Sequence, residues 1–170
     1  MYQYTPLAED DSIRIIELQP SRDKAAMVRC ELVHTALCQA QEDIIDHYTA
    51  LSYVWDDAND RATIEVGGKT IEVTKSLWTA LLHLRDERRV LNLWADGICI
   101  NQSDYYEKAQ QVQQMGKIYE SPHHTDIFLG ECDAASENTV ATAFDDPTAN
   151  KTTLLNAFGL ISVKPWFYKV

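Results

Sequence analysis

The chain has 170 residues, 45% of them hydrophobic, and its 15 basic and 26 acidic residues give a net charge of -11. This length suits one domain with a sizeable core, and the acidic balance argues against nucleic acid or an anionic membrane as a partner. No apolar run approaches the roughly 20 residues that span a bilayer. The first residues lack the basic and apolar segments of a secretory signal. The four cysteines have no paired spacing, so we expect reduced, mostly buried thiols in a cytoplasmic protein.

The first third of the chain predicts β-structure after a loose arm. Residues 1–11 have no periodicity and are predicted to form that arm. Residues 12–18 (SIRIIEL) and 27–33 (MVRCELV) alternate in hydrophobicity and predict two strands. Residues 48–55 (YTALSYVW) are apolar, aromatic and β-branched, which is typical of a central strand.

Hydrophobic alternation on both sides of Gly67 and Gly68 predicts a two-residue hairpin over residues 61–73. Glycine adopts the positive φ angle that such a tight turn requires. A helix is predicted next, over about residues 76–88, with an apolar stripe on one face. We expect this hairpin and the two early strands to be antiparallel additions to the main sheet.

The most informative stretch runs from residue 90 to residue 119. Residues 90–100 form a nearly continuous apolar run that predicts a buried strand. Asp104 is a good N-cap residue, and Glu107 three positions later completes the pattern of a capping box. The following helix shows apolar residues at intervals of three and four, which predict a buried stripe consisting of Tyr105, Ala109, Val112, Met115 and Tyr119. Residues 125–129 (TDIFL) predict another short strand.

The alternation of strands and helices in the middle of the chain predicts an α/β fold with a mostly parallel sheet flanked by helices. A short last helix is predicted over residues 153–163. In open α/β sheets, ligands bind beyond the carboxyl ends of the strands. We therefore expect a polar cleft where residues 48–55 and 90–100 end.

Glu107 is the candidate catalytic residue, because a carboxylate in the first turn of a helix beyond a buried strand can face such a cleft. There it would accept hydrogen bonds from a sugar diol or stabilise a developing cation. The alternative is structural: Glu107 closes the capping box and interacts favourably with the helix dipole. The sequence leaves both roles open.

Six further residues are candidate ligand-binding residues at the same edge: Tyr53, Trp55, Asp96, Asn101, Gln102 and Asp104. Trp55 would stack on a planar ligand, although most tryptophans in such strands belong to the core. Asp96 interrupts a buried run and therefore needs a hydrogen-bond partner, which a neighbouring loop would also supply. Adjacent histidines at 123 and 124 point to opposite faces of an extended segment, so no metal site is predicted.

Three blocks of this sequence together resemble the fungal heterokaryon incompatibility (HET) domain. They are YTALSYVW at residues 48–55, LWADGICINQ at residues 93–102 with the helix that follows, and Phe128-Leu-Gly at residues 128–130. The resemblance covers about residues 2–130, and Pro165-Trp-Phe matches the start of a later block. Three departures stand out. The first block ends in Trp55-Asp rather than Trp-Gly, Ser121-Pro-His-His intervenes where the helix usually leads into a small residue and a valine-rich strand, and the family continues past the Trp-Phe block. The third departure implies a single HET domain over residues 1–170 that is truncated at its C-terminal end.

The resemblance implies a role in fungal non-self recognition that ends in programmed cell death. The family has been regarded as distantly similar to TIR domains, flavodoxin-like modules, many of which cleave NAD with a glutamate on a helix. By that analogy Glu107 would be the catalytic residue, NAD the substrate, and no bound cofactor would be needed. The alternative is a non-catalytic module that self-associates or recruits protein partners.

Overall fold

The structure is a computed structural model, and it describes residues 1–37, 48–55, 57–122, 124–128 and 130. The chain divides into two compact units, Met1–Phe128 and Leu129–Val170. The helix predicted over residues 153–163 lies outside the described residues.

The elements of the first unit follow in chain order: β1 (Ser12–Leu18), β2 (Arg29–Ala36), β3 (Thr49–Tyr53), β4 (Arg61–Val66), β5 (Lys69–Thr74), α1 (Lys75–Leu84), β6 (Leu91–Trp94), α2 (Asp96–Cys99), α3 (Tyr105–Glu120) and β7 (Thr125–Phe128). This composition confirms the α/β class. Within the described residues, no helix is both long enough and apolar enough to cross a membrane.

All seven of these strands join one sheet in the order β5-β4-β2-β1-β6-β3-β7. Strand β3 pairs in parallel with β6 and β7, and β2 pairs in parallel with β4. The pairs β1–β2, β1–β6 and β4–β5 are antiparallel. The sheet is therefore mixed, and the prediction of a mostly parallel sheet was wrong. The reason is that β1 lies inside the sheet, between β2 and β6, and is antiparallel to both.

The two early strands and the hairpin form, but they are not antiparallel additions at the margin of the sheet, because β1 lies inside it and β2 pairs in parallel with β4. Strand β1 has the predicted bounds, and β2 begins two residues later than expected. The turn between β4 and β5 holds Gly67 at φ 56° and Gly68 at φ 73°, the positive angles that the glycine pair was expected to supply. Helix α1 ends at Leu84 because Arg85 leaves the helical region, with ψ at 117°.

The apolar run at residues 90–100 is not one strand. Strand β6 ends at Trp94, and Asp96–Cys99 forms the short helix α2, with the amide of Cys99 donating to the Ala95 carbonyl at 2.8 Å. Both parts are buried, since Trp94, Ile98 and Cys99 are all fully inaccessible. A short apolar run is compatible with a buried strand or a buried helix, so periodicity could not separate the two.

Helix α3 buries a different face from the one predicted. Its buried residues are Glu107, Gln111 and Ile118, whereas Tyr105 is 86% exposed and Val112 is 51% exposed. Of the predicted stripe, only Met115 and Tyr119 pack against the core. The helix is oriented by polar contacts with β1, including the bond from Gln111 Nε2 to the Ser12 carbonyl at 2.9 Å. The apolar pattern therefore pointed to the wrong face.

We expect Gly68→Ala to lower the free energy of unfolding by roughly 1–2 kcal/mol, because an L-residue is strained at this positive φ. Gly116→Ala is the matched control. It lies on the exposed side of α3, and a Cβ atom added there would meet no other atom within 4 Å, so we expect a gain of about 0.5–1 kcal/mol from helix propensity. Urea unfolding of both variants measures the difference. Equal effects of the two substitutions would contradict the assignment of the turn.

Candidate functional site

The carboxyl ends of β3 and β6 meet at one edge of the sheet. The two strands are parallel, with Thr49 opposite Leu93 and Ala50 opposite Trp94. The residues that follow therefore emerge side by side, and Trp55 Nε1 donates to the two carboxylate oxygens of Asp96 at 3.1 and 3.3 Å. The sequence predicted that these two strands end at a common edge of the sheet, and the structure agrees.

Four of the predicted ligand-binding residues form a connected group here, which we call the edge cluster: Tyr53, Trp55, Asp96 and Gln102. The rings of Tyr53 and Trp55 are stacked with centroids 6.5 Å apart. The Tyr53 side chain lies close to the Asp96 carboxyl group, and Gln102 Nε2 donates to the Asp96 carbonyl at 2.8 Å. Trp55 remains 46% exposed, so it presents an aromatic surface to solvent.

Gly97 leaves the space that the Tyr53 hydroxyl occupies. A Cβ atom at this position would overlap the hydroxyl oxygen and contact Leu77 Cδ2 at 3.3 Å. Glycine is therefore required because the tyrosine side chain passes directly over the backbone of α2. This close approach fixes the position of the edge cluster relative to β6.

The electrostatics of Asp96 differ from those of a surface aspartate. Burial raises the pKa of the Asp96 carboxyl above its ordinary value, and this effect outweighs the hydrogen bonds from Tyr53 and Trp55, which lower the pKa. Burial and the neighbouring Asp96 charge also raise the pKa of the Tyr53 hydroxyl. A carboxyl group with a raised pKa beside an exposed indole can exchange a proton or accept a hydrogen bond from a ligand hydroxyl.

Glu107 lies in a second group of contacts, centred on a buried ion pair with Arg14 of β1. Arg14 Nη1 donates to Glu107 Oε1 at 2.6 Å, and Arg14 Nη2 donates to Oε2 at 2.9 Å. The backbone amide of Asn101 adds a third bond to Oε1 at 2.7 Å. Arg14 is completely buried, and Glu107 is only 8% exposed. Both carboxylate oxygens are thus engaged by the protein itself.

Arg14 is held by further groups besides Glu107. Its guanidinium donates to the carbonyl of Cys99 at 3.0 Å and to the carbonyl of Thr5 at 2.6 Å. The ring of Tyr4 lies 5.0 Å from the guanidinium carbon, in cation–π contact, and the Tyr4 hydroxyl donates to the Ile98 carbonyl at 2.9 Å. One buried cation therefore links β1, the end of α2 and the N-terminal arm to α3.

These contacts keep Glu107 ionised. Burial acts to raise the pKa of Glu107, but the hydrogen bonds from Arg14 and Asn101 outweigh it, so the pKa lies below its ordinary value. A carboxylate with three strong donors is stabilised as an anion and is poorly suited to take up a proton. These contacts with Arg14 and Asn101 are structural, but they differ from the capping box with Asp104 that the sequence suggested.

The N-cap of α3 is Asp104, as predicted. Its Oδ1 accepts hydrogen bonds from the amides of Tyr106 and Glu107 at 3.0 and 3.1 Å. In a capping box the Glu107 side chain would accept a hydrogen bond from the Asp104 amide. Here the Asp104 amide instead donates to the Asn101 carbonyl at 3.1 Å. Glu107 instead binds the Asn101 amide, while Asn101 Oδ1 accepts from the Ser103 amide at 3.2 Å. Asn101 and Asp104 therefore shape the turn that leads into α3.

The sequence interpretation singled out neither Arg14 nor Tyr4 as a site residue. One signal was available: residues 12–18 (SIRIIEL) form an apolar strand with an arginine inside it. A strand with both faces buried forces such a charge to find a carboxylate partner. The sequence shows that a partner is needed, but the partner lies 93 positions away along the chain.

Comparison with known proteins identifies the family to which the motifs at this edge belong. A family model described as heterokaryon incompatibility protein (HET) matches residues 48–158. The chain belongs to the HET family. This match confirms the resemblance noted in the sequence, and it spans both the edge cluster and Glu107. Arg14, the partner of Glu107, lies upstream of the matched region.

A curated relative of this HET domain is heterokaryon incompatibility protein 6, OR allele, of Neurospora crassa. It is 34% identical over an alignment of 146 positions, which covers 76% of the present chain and 21% of the relative. The chain thus spans about a fifth of the length of that relative. No solved structure matches the chain.

We expect Arg14→Met or Glu107→Met alone to lower the free energy of unfolding by about 3–5 kcal/mol, because each leaves a buried group without its partner. The double variant Arg14→Met/Glu107→Met should recover most of this loss. The exposed pair Arg29–Glu65 is the control, since its side chains are 65% and 31% exposed and Glu65→Gln should cost at most about 1 kcal/mol. Additive losses in the double variant, measured by urea unfolding, would contradict a mutual pair.

The two carboxyl groups should affect stability with opposite dependence on pH. The folded-state pKa of Glu107 lies below its unfolded value, so its stabilisation is present above about pH 4.3 and is lost as the pH falls through the folded-state pKa. The folded-state pKa of Asp96 lies above its unfolded value, so its contribution is present below about pH 3.9 and is lost as the pH rises through the folded-state pKa.

Urea unfolding at a series of pH values measures these two trends. From about pH 3 to about pH 7, the stability of the wild type relative to Glu107→Gln should rise, and its stability relative to Asp96→Asn should fall. Two slopes of the same sign would show that one of the two environments is wrongly assigned.

Proposed function

We propose that this HET domain acts in fungal non-self recognition and contributes to the programmed cell death that follows heterokaryon incompatibility. The observation that carries the proposal is the family match over residues 48–158, together with the Neurospora relative whose name records heterokaryon incompatibility. The same proposal assigns the protein to the cytoplasm. Cys30 and Cys99, two buried free thiols, are consistent with a reducing compartment.

For the mechanism we propose a non-catalytic module that self-associates or recruits protein partners. The engagement of Glu107 by Arg14 and Asn101 supports this choice, because it leaves the carboxylate occupied. The outward face of α3 supports it as well, since Tyr105, Tyr106 and Val112 are 86%, 75% and 51% exposed. Neighbouring apolar side chains that remain in water mark many protein interaction surfaces.

NAD hydrolysis of the TIR type is the second candidate, and the edge cluster is the observation that favours it. Trp55 offers an exposed indole for stacking on a base or on nicotinamide, and Asp96 accepts hydrogen bonds beside it. The parallel strands β6, β3 and β7 also suit the proposed kinship with flavodoxin-like folds. In this candidate Glu107 stabilises an oxocarbenium-like transition state, which requires release from Arg14.

The two mechanisms differ in a direct assay with NAD. We expect no release of nicotinamide by the purified protein at high concentration, and no change on Trp55→Ala. Nicotinamide release that Trp55→Ala abolishes, in a variant with unchanged thermal unfolding, would establish the NAD candidate instead. Glu107→Gln is unsuitable as the only variant here, because it also breaks the buried ion pair and destabilises the fold.

A fungal incompatibility assay with the full protein tests whether the exposed face of α3 is an interaction surface. Val112→Asp should weaken cell death several-fold, because it places a charge on the exposed apolar face of α3. Gln113→Asp adds the same charge at the next exposed position of the helix and should leave cell death unchanged. Equal effects of both variants would count against this face as the interacting surface.

A further inference from the structure

The N-terminal arm lies across the buried ion pair. The Tyr4 ring covers the Arg14 guanidinium at 5.0 Å, and the Thr5 carbonyl accepts a hydrogen bond from Arg14 Nη2 at 2.6 Å. The Tyr4 hydroxyl reaches the Ile98 carbonyl at 2.9 Å. These residues therefore separate Arg14, and through it Glu107, from solvent on this side of the molecule.

The arm is held by a few point contacts and not by a strand ladder. Residues 1–7 have no regular secondary structure, and Met1, Gln3 and Thr5 are exposed while the residues between them point inward. Tyr2 contributes one backbone bond, from its amide to the Thr70 carbonyl at 2.8 Å, and an edge-to-face contact with Tyr4 at 5.2 Å. A segment with so few contacts opens at a lower free-energy cost than a strand of the sheet.

The downstream end of the arm is fastened separately. Gln110 Nε2 donates to the Asp10 carboxylate at 3.4 Å, and Gln114 Nε2 donates to the Asp10 carbonyl. The segment before residue 6 can therefore leave its position while residue 10 stays on α3. A cavity of about 580 Å³ borders the arm, between Tyr2, Tyr4, the β4–β5 hairpin and the turn at Asn101 and Ser103. Space for movement thus lies directly beside it.

We propose that residues Tyr2–Thr5 form a strap that closes over the Arg14–Glu107 pair and opens as a unit, giving solvent and ligands access to that pair. In the closed state, Tyr4 and Thr5 complete the surroundings of the guanidinium. In the open state, Arg14 retains its hydrogen bonds to Glu107 and to the Cys99 carbonyl, so the ion pair persists but is exposed to solvent. The strap is a conformational device of the domain, and it does not depend on either mechanism proposed above.

Amide hydrogen exchange of the full chain, followed by NMR, tests the strap. The reporter is the Asn101 amide, which donates to Glu107 Oε1, the same oxygen that Arg14 Nη1 binds. We expect Tyr4→Ala to raise its exchange rate about tenfold or more, while amides of the β4–β5 hairpin core change by less than about twofold. Tyr4→Phe keeps the ring over Arg14 and loses only the bond to Ile98, so we expect an intermediate rate.

Tyr106→Ala is the matched control, because Tyr106 is 75% exposed and lies on α3 beside Glu107. It should leave exchange at Asn101 within about twofold of the wild type. An unchanged rate at Asn101 in Tyr4→Ala would overturn the proposal. A rate that rises equally at Asn101 and in the hairpin would overturn it too, since the arm would then be part of the cooperative core.

Discussion

The buried ion pair between Arg14 and Glu107 is the interaction on which the arrangement of this domain depends. Arg14 lies in the middle of a strand inside the sheet and has no exposed surface. Removing a guanidinium from water costs several kcal/mol, and only a well-placed carboxylate with further acceptors offsets that cost. Glu107 supplies the carboxylate, and the carbonyls of Thr5 and Cys99 supply the further acceptors.

This pair decides how α3 is oriented. If the helix rotated to bury its apolar residues, Glu107 would leave Arg14 and an uncompensated charge would remain in the interior. Burying the exposed part of Val112 is worth at most about 1–2 kcal/mol, whereas breaking a buried pair costs about 3–5 kcal/mol. The polar face of α3 therefore turns inward, and Tyr105 and Val112 remain in solvent. The same orientation creates the exposed apolar surface on which the proposed module relies.

The domain thus holds two carboxyl groups in contrasting situations. Asp96 lies at the open edge of the parallel strands beside an exposed indole, and burial raises its pKa. Glu107 is enclosed by donors that lower its pKa and leave neither oxygen vacant. In the NAD candidate, a ligand at this edge would contact Trp55 and Asp96 directly, whereas Glu107 would become available only after its bonds to Arg14 and Asn101 rearrange.

The sequence by itself determined the elements whose signals are local: strand β1, the Gly67-Gly68 hairpin, the N-cap at Asp104 and the HET motifs. It also indicated that the strands before Trp55 and before Asn101 would end at a common edge, and the structure pairs β3 and β6 in parallel there. The contact between Trp55 and Asp96 became visible only in the structure. Tertiary structure alone decided the mixed sheet, the helical turn at Asp96–Cys99 and the buried face of α3. The physical reason is that hydrophobic periodicity predicts the buried face of a helix only when burial of apolar side chains is the dominant force. Here the buried Arg14 on a distant strand required a carboxylate partner, and this requirement decided which face of α3 is buried. The position of that strand beside α3 is not encoded in any local pattern.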